Sequence, residues 1–183
     1  MEGSMPDLVP IPPEEFLVRA YAVWEHGWFL LTSGEYTEGK FNSMTVSWGS
    51  FGCMWGRPFA QVVVRPHRYT FEFMETYPTF TLCAFSRQYR PALNLLGTKS
   101  GREGNKIAAS GLTPQPASQV AAPVFAEAEL TIECRKLYWQ DFEPAHFLDP
   151  DLLNNYPRQD YHRVYYGEIV AIRGIPAYRF PSV

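Results

Sequence analysis

Polar and apolar side chains alternate along residues 41–50, and this alternation predicts a β-strand. Successive side chains of a strand point to opposite faces. One face therefore carries small hydroxyl residues, and the other carries an amide followed by apolar and aromatic groups. The first face comprises Ser43, Thr45 and Ser47, and the second comprises Asn42, Met44, Val46 and Trp48. A nearly continuous apolar run from Phe59 to Val64 predicts another strand, buried on both faces.

The rest of the chain is predicted to form short strands, turns and brief helices. Further strands are expected over residues 28–33, 79–85, 124–139 (one bent strand or a pair) and 161–173. Helices are expected over residues 12–23, 69–76 and 90–96. Connections are expected at Gly49, Gly52 and Gly56 (a tight turn), 97–106 (a polar loop), 113–123 (a surface segment) and 140–160 (an excursion rich in proline and aspartate). These elements indicate a mainly β fold with minor α, a closed and mostly antiparallel barrel.

The length of 183 residues fits one domain. We expect residues 1–24 to form an N-terminal extension with a short helix, and residues 25–183 to form the domain. Apolar residues make up 46% of the chain, enough for a well-buried core. The net charge of −3 argues against a nucleic-acid partner, because proteins that bind nucleic acids carry a concentrated basic face. A local cluster of cations suits a small anion better.

The cysteines predict neither a disulfide framework nor a zinc site. Cys53, Cys83 and Cys134 are odd in number, lie far apart and form no C-x-x-C pair. Reduced thiols, buried in a cytoplasmic protein, are expected instead. No apolar run approaches the roughly 20 residues needed to cross a bilayer, so no membrane partner is expected.

Cationic and hydroxyl side chains follow the apolar strand. Arg65, His67, Arg68 and Thr70 come directly after its last valine, where a helix is expected to begin. The planar fork of arginine matches phosphate oxygens, and a helix N-terminus offers free amides to an anion. The alternative interpretation is an arginine pair at the surface, beside a helix start.

The hydroxyl strand also has two interpretations. Its hydroxyl groups would simply meet solvent if the strand lay at a sheet edge. Trp48 and Trp55, however, flank the glycine-rich connection, and glycine lets backbone amides approach a ligand closely. Small hydroxyl groups beside an aromatic wall and a cluster of cations suit a ligand with a flat ring and an anionic tail. Flavin mononucleotide (FMN) has that shape.

Two further segments carry candidate chemistry. Residues 97–106 include Lys99, Ser100 and Lys106 but lack the order of a nucleotide-triphosphatase loop, so they form either a basic loop near a phosphate or a solvated loop. His162 begins the last strand, where it either reaches a bound ring or serves as a structural group. No Ser-His-Asp or Cys-His order and no paired carboxylates indicate hydrolysis, and no metal site is expected.

Segments spread over residues 25–173 resemble the flavin reductase-like, FMN-binding split-barrel family of the flavoredoxin type. The matching segments are residues 42–48, 64–70 and 97–102, together with Lys106, His162 and Gly167–Glu168. The resemblance implies a six-stranded antiparallel split barrel of Greek-key type with short flanking helices. It also implies a homodimer that holds FMN near the subunit interface.

The resemblance assigns residues to the two ends of FMN. Those implied to line the ring and ribityl chain are Asn42, Met44, Thr45, Ser47 and Trp48, with Ser43 beside them on the strand. Those implied to surround the phosphate are Arg65, Arg68, Tyr69 and Thr70, with Lys99, Ser100 and Lys106 assisting and His67 adjacent. His162 would lie near the ring and is the candidate catalytic residue.

The leading hypothesis is an NAD(P)H-dependent oxidoreductase, in which hydride passes to the flavin and electrons pass to a small-molecule or protein acceptor. The flavin does the chemistry, so no protein acid or base is required. The alternative is a non-catalytic flavin-binding protein or electron carrier. The 140–160 excursion motivates it, because that segment would cover the face where a nicotinamide must stack. A barrel without any cofactor is the third hypothesis.

Overall fold

The computed structural model describes residues 5–180. Within that range the chain forms ten strands and three α-helices. The strands are β1 (Val9–Pro10), β2 (Phe29–Glu35), β3 (Lys40–Val46), β4 (Gly49–Met54), β5 (Arg57–Val64), β6 (Thr79–Ala84), β7 (Pro114–Gln115), β8 (Val124–Phe125), β9 (Leu130–Asp141) and β10 (Arg163–Gly174). The helices are α1 (Tyr69–Thr76), α2 (Arg90–Thr98) and α3 (Lys106–Ser110). The predicted mainly β fold with short helices is confirmed.

One sheet contains every long strand. Its order is β3-β2-β6-β9-β10-β5-β4, and all neighbours pair antiparallel. The short β1 adds to β10, while β7 and β8 form a separate pair. The register of β9 against β10 shifts at Tyr166/Gly167 and again at Ile169/Ala171, and such bulges increase local twist. The sheet is antiparallel throughout.

Two apolar clusters lie on opposite faces of β2. Phe29 and Leu31 point into the main cluster, whereas Leu30 points into a second cluster beneath α2. The strand is therefore apolar at successive positions, because alternate side chains meet different partners. Leu93 and Leu96 of α2 complete the second cluster. This packing fixes α2 beside β3, the strand that carries four of the candidate site residues, Asn42 to Thr45.

The predicted helix over residues 12–23 is wrong. The chain forms a 3-10 turn at Pro13–Glu15, a bridge between Phe16 and Arg179, and a π-turn at Val23–Gly27. The π-turn buries the Trp24 ring against neighbouring aromatic rings of the main cluster. Tertiary packing of that tryptophan outweighs the local helix signal.

The predicted tight connection at Gly49, Gly52 and Gly56 is also wrong for its first two glycines. They belong to β4, and only Trp55 and Gly56 form the turn. A Cβ on Gly49 would overlap the Trp24 ring and the Gln61 carbonyl oxygen, so that glycine is required for packing. In β4, glycine marks a position where a side chain or a neighbouring backbone packs closely against the strand, and not a turn.

The polar loop expected at 97–106 is partly helical. Helix α2 extends to Thr98, a 3-10 turn follows at Gly101–Glu103, and α3 begins at Lys106. The side chain of Asn105 accepts a hydrogen bond from the Ala108 amide at 3.0 Å, which caps α3. The strand predicted along residues 41–50 ends at Val46, and residues 49–50 already belong to β4. The segment predicted at 124–139 forms two separate strands, β8 and β9. The other predicted strands and the helices at 69–76 and 90–96 are confirmed within two residues at each end.

The N-terminal segment packs on the sheet through β1 and the buried Ile11. Residues 1–4 of the predicted extension and residues 181–183 of the predicted domain lie outside the described residues. Among residues 5–180, no helix combines the length and the apolar character needed to span a bilayer.

Candidate functional site

Two cavities meet beside the ends of β3 and β5. We name them after one residue of each. The Trp48 cavity, about 240 Å³, is lined by Met44, Thr45, Val46, Ser47, Trp48, Val63, Arg65, Arg68 and His162. The Lys106 cavity, about 90 Å³, is lined by Met44, His67, Arg68, Tyr69, Thr70, Leu96, Thr98, Lys99, Ser100, Gly101 and Lys106. Met44 and Arg68 belong to both, so the cavities adjoin.

Most residues singled out in the sequence line one of these two cavities, and two do not. The Ser43 hydroxyl is fully buried and hydrogen-bonds the Thr32 hydroxyl at 2.7 Å. Asn42 donates from its Nδ2 to the Thr70 hydroxyl, also at 2.7 Å. Both side chains face protein partners, so Asn42 supports the site through Thr70 and Ser43 ties β3 to β2.

The hydroxyl row of β3 does not form a free polar surface. Thr45 donates from Oγ1 to the Leu93 carbonyl oxygen at 2.6 Å, which ties β3 to α2. Only Ser47 of the three predicted hydroxyls lacks a recorded side-chain hydrogen bond in the described part of the chain. Two of the three hydroxyl groups on the face predicted for a ligand therefore hold protein partners, that of Ser43 on β2 and that of Thr45 on α2.

The Lys106 cavity is cationic. The Lys106 ammonium donates to the carbonyl oxygens of Leu96 at 2.8 Å and Lys99 at 3.0 Å. Burial, aided by the nearby Arg68 charge, lowers the pKa of Lys106 to about 8. Arg68 itself donates to the Gly97 carbonyl oxygen at 3.1 Å. No carboxylate lines this cavity among the described residues, whereas Arg68, Lys99 and Lys106 bring three positive charges to its walls.

Local structure sets the shape of this cavity. Helix α1 begins at Tyr69, directly after Arg68, so its N-terminal dipole end lies at the cavity wall. Gly101 lies opposite, where a Cβ would overlap the side chains of Asn42 and Tyr69. Arg102 stacks its guanidinium 4.9 Å from the Tyr69 ring centroid and donates to the His67 carbonyl oxygen at 3.1 Å. The walls are thus held from both sides.

Arg65 has its partners on the other side, in the 140–160 excursion. We call residues 142–162 the strap; it contains 3-10 turns at Pro144–His146 and Pro150–Asn155. Arg65 donates to Asp160 Oδ2 at 2.9 Å and to the Asn155 carbonyl oxygen at 2.8 Å. Its guanidinium also lies 5.0 Å from the Tyr156 ring centroid. Arg65 therefore lines the Trp48 cavity and not the Lys106 cavity.

His162 closes the Trp48 cavity. Its ring lies 5.2 Å from the Trp48 ring, and its Nδ1 is 2.8 Å from the Tyr156 hydroxyl. Burial first, and then the charge of Arg65, lower the pKa of His162 to about 4. The imidazole is therefore neutral at neutral pH and offers one hydrogen-bond donor and one acceptor.

Some residues of the site carried no signal in the sequence. Asp160 and Tyr156 lie in an excursion without periodicity, and only their nearness to His162 along the chain points to them. Asp160 is held ionised, because its hydrogen bond to Arg65 lowers the pKa of its carboxyl. Among residues 5–180, no group of His, Cys, Asp and Glu side chains is placed to bind a metal ion.

Comparison with known proteins identifies relatives of this architecture. Residues 24–179 match the family described as "Flavin reductase like domain". A search of curated proteins found no match.

Among solved structures, the FMN-binding domain of a flavin reductases-like enzyme from Shewanella baltica is 17% identical, with a TM-score of 0.67 over 94% of this chain and 79% of that one. Flavoredoxin of Desulfovibrio vulgaris is 23% identical, with a TM-score of 0.64 over 86% and 76% of the two chains. An NADH:FAD oxidoreductase of Streptomyces globisporus is 16% identical, with a TM-score of 0.62 over 82% and 76%. At these identities the likeness shows a shared split-barrel fold.

Proposed function

This chain belongs to the flavin reductase-like domain family, and from that premise we propose that it is an FMN-dependent oxidoreductase. It would take hydride from NAD(P)H and pass electrons to a small-molecule or protein acceptor. The observation that carries the proposal is the pair of adjoining cavities that share Met44 and Arg68. One is walled by an indole and an imidazole, and the other is cationic.

The residues present fit FMN. A phosphate needs concentrated positive charge and hydrogen-bond donors, which Arg68, Lys106 and the start of α1 provide in the Lys106 cavity. A flat ring needs an apolar or aromatic wall, which Met44 and Trp48 provide in the adjoining cavity. The ribityl chain would pass between them, along Met44. The cationic cavity thus suits the phosphate of FMN, and the aromatic cavity suits its ring.

We propose the following roles. Arg68, Tyr69, Thr70, Lys99, Ser100 and Lys106 hold the phosphate, and Met44, Thr45, Ser47 and Trp48 line the ring and ribityl chain. His67 lies at the rim of the Lys106 cavity. Asn42 positions Thr70, and Ser43 has no direct part. His162, neutral and hydrogen-bonded by Tyr156, orients a bound ring through its remaining nitrogen.

When bound, FMN supplies a ring that accepts hydride and releases electrons singly or in pairs. The contribution of this chain is positioning. Trp48 and His162 limit the space beside the ring, and the strap excludes water from the same side. Because the His162 pKa lies near 4, this residue is not expected to exchange a proton at neutral pH.

The proposal is tested by the purified protein itself. Bound FMN gives visible absorption, and anaerobic NADH or NADPH should bleach it within seconds. A yellow protein that stays yellow over many minutes with both donors would contradict turnover while supporting flavin binding. A colourless protein that does not bind added FMN would contradict both and leave a barrel without a cofactor.

One observation favours the second candidate, a non-catalytic flavin-binding protein or electron carrier. The strap is fastened to the rim of the Trp48 cavity through Arg65, Tyr156 and Asp160. A strap that stays closed would block stacking of a nicotinamide. The bleaching experiment separates the two candidates, because a carrier would accept electrons from a protein or dithionite but not from NAD(P)H.

A homodimer and a cytoplasmic location remain part of the proposal. The Trp48 side chain at the site is large and has 43% of its surface accessible. Apolar surface of this kind beside a cofactor site favours a partner subunit. Sedimentation of the FMN-loaded protein tests the dimer. The division into an extension and a domain at residue 25 is tested by limited proteolysis.

A further inference from the structure

Two side chains at the end of β5 converge on one carboxylate oxygen. Arg65 Nη1 lies 2.9 Å and His67 Nδ1 lies 3.0 Å from Asp160 Oδ2. The second oxygen, Asp160 Oδ1, is buried and has no hydrogen-bond partner among the described residues. A buried acceptor without a hydrogen-bond partner destabilises the folded protein. The Asp160 carboxylate therefore uses only one of its two oxygens for hydrogen bonding at this position.

The surroundings of this carboxylate are positive overall. Arg65 and Arg68 both line the Trp48 cavity, and no carboxylate lies along its described walls. Asp160 meets Arg65 at the rim, outside that lining. Burial is the main cause of the low pKa of His162, and the charges of Arg65, Arg68 and His67 lower it further, whereas Asp160 acts against them. One aspartate thus faces a cationic rim whose positive charge suits a larger anion.

The location of the pocket connects it with the nicotinamide donor. Arg65 is at the rim of the cavity that contains Trp48 and His162, where the donor's ring is expected to stack. A dinucleotide donor carries a diphosphate one ribose away from that ring. The diphosphate would therefore reach the rim when the ring enters the cavity.

We propose that Arg65 and His67 form an anion subsite for the diphosphate of the dinucleotide donor, which the Asp160 carboxylate fills in the free protein. Donor binding displaces Asp160, and the diphosphate oxygens take over the two hydrogen bonds. Arg65 holds the strap through Asp160 and through the Asn155 carbonyl oxygen. Loss of the Asp160 contact leaves only the second of these, so the strap loosens on the cavity side. The identity of the ligand rests on the proposed function. That the subsite binds an anion is inferred from the contacts of Arg65 and His67 with Asp160 alone.

The flavin phosphate is the other source of the same chemistry, and two variants distinguish the sources. Arg65→Gln removes the charge of the subsite, and Asp160→Asn removes the internal competitor. Matched controls on the strap are Arg158→Gln and Asp151→Asn, because both side chains are exposed and outside the cavity. Each FMN-loaded variant is mixed anaerobically with NAD(P)H or with N-benzyl-1,4-dihydronicotinamide, a hydride donor without phosphate.

For Arg65→Gln, the dinucleotide concentration that gives half-maximal bleaching should rise roughly 10-fold or more, the equivalent of one lost charge-assisted bond. The half-maximal concentration of the phosphate-free donor should change much less than that of the dinucleotide, because this donor has no group that reaches the subsite. For Asp160→Asn, the dinucleotide concentration should fall several-fold. Equal changes with both donors would overturn the subsite in favour of a purely structural role. Weakened binding of FMN, with riboflavin unaffected, would assign Arg65 to the flavin phosphate instead.

A binding measurement keeps the subsite testable if no donor bleaches the flavin. Inorganic diphosphate is titrated into the flavin-free and the FMN-loaded protein by calorimetry. Diphosphate should bind the FMN-loaded Asp160→Asn variant more tightly than the wild type, and the Arg65→Gln variant most weakly. That order would support the subsite even though the proposed reductase had failed. The same affinity in all three proteins would overturn it.

Discussion

Lys106 offers the sharpest test of where the flavin phosphate binds. Its ammonium is buried, donates to two carbonyl oxygens and lies near Arg68, and its pKa is lowered to about 8. At pH 7 about nine in ten molecules therefore keep this proton. A phosphate dianion in the cavity favours the charged form, so phosphate binding should raise the pKa and draw in a proton above pH 8.

The magnitude follows from this linkage. In wild type, the dissociation constant of FMN should rise by up to about tenfold per pH unit above pH 8, until the pKa of the bound state is reached. Lys106→Met should weaken FMN binding at pH 7 by about 1.5–3 kcal/mol, or roughly 10- to 150-fold. It should also remove the pH dependence, because the titrating ammonium that is coupled to the phosphate is then absent.

Quenching of flavin fluorescence during titration measures both effects, at constant ionic strength from pH 7 to pH 9.5. Riboflavin is the control ligand, since it has the same ring without the phosphate. Lys40→Met is the control variant, because Lys40 is exposed and paired with Glu38. A ratio of FMN to riboflavin affinity that stays flat across this range in wild type would refute the reasoning. So would equal losses for both ligands in Lys106→Met.

Three further predictions concern residues around the site. Gly49→Ala should lower the free energy of unfolding by about 3 kcal/mol, because the added methyl group overlaps the buried Trp24 ring. Ser43→Ala should cost about 1–3 kcal/mol, since the Thr32 hydroxyl loses its buried partner, yet FMN affinity should stay within about twofold. His162 predicts acid lability: its folded pKa of about 4 lies below the unfolded value near 6.5, so the unfolded chain binds more protons between these values, and stability falls by about 3 kcal/mol as the pH drops through them. Urea unfolding of each variant, and of wild type and His162→Asn at pH 7 and pH 4, measures all three.

Each of these has a clear contrary result. An unchanged urea midpoint for Gly49→Ala would mean that Trp24 repacks without cost. A large loss of FMN affinity in Ser43→Ala would restore that hydroxyl to the cofactor site. The same acid destabilisation in His162→Asn as in wild type would place the responsible group elsewhere.

The sheet was predictable because its signals are local. The alternation in β3 and the apolar run in β5 reflect which faces of each strand are buried. A buried face requires apolar side chains, so the pattern can be read from neighbouring residues alone. Gly49 was misread for a physical reason: glycine marks both turns and close packing, and only the position of Trp24 distinguishes them. The helix expected at 12–23 failed likewise, because burial of Trp24 is a tertiary effect.

The candidate site was predictable where its residues follow one another along the chain. Residues 65–70 and 97–106 lie at the ends of regular elements, so their side chains gather at one end of the sheet. The partners of Arg65 were not predictable, because Asp160 and Asn155 reach it from an irregular segment about 90 residues away. No periodicity reports on such a contact. The sequence therefore predicted which cationic residues belong to the site, but not which acidic or carbonyl group each of them binds.

The boundary between the two cavities is also a boundary along the chain. Everything proposed to hold the flavin phosphate comes from the first 106 residues, whereas one wall of the Trp48 cavity is His162, the last residue of the strap. Changes of length or composition within residues 142–158 would therefore alter what enters beside the ring while leaving the cofactor's anchor in place. The strap is the segment in which related proteins could exchange one reaction partner for another without rebuilding the barrel.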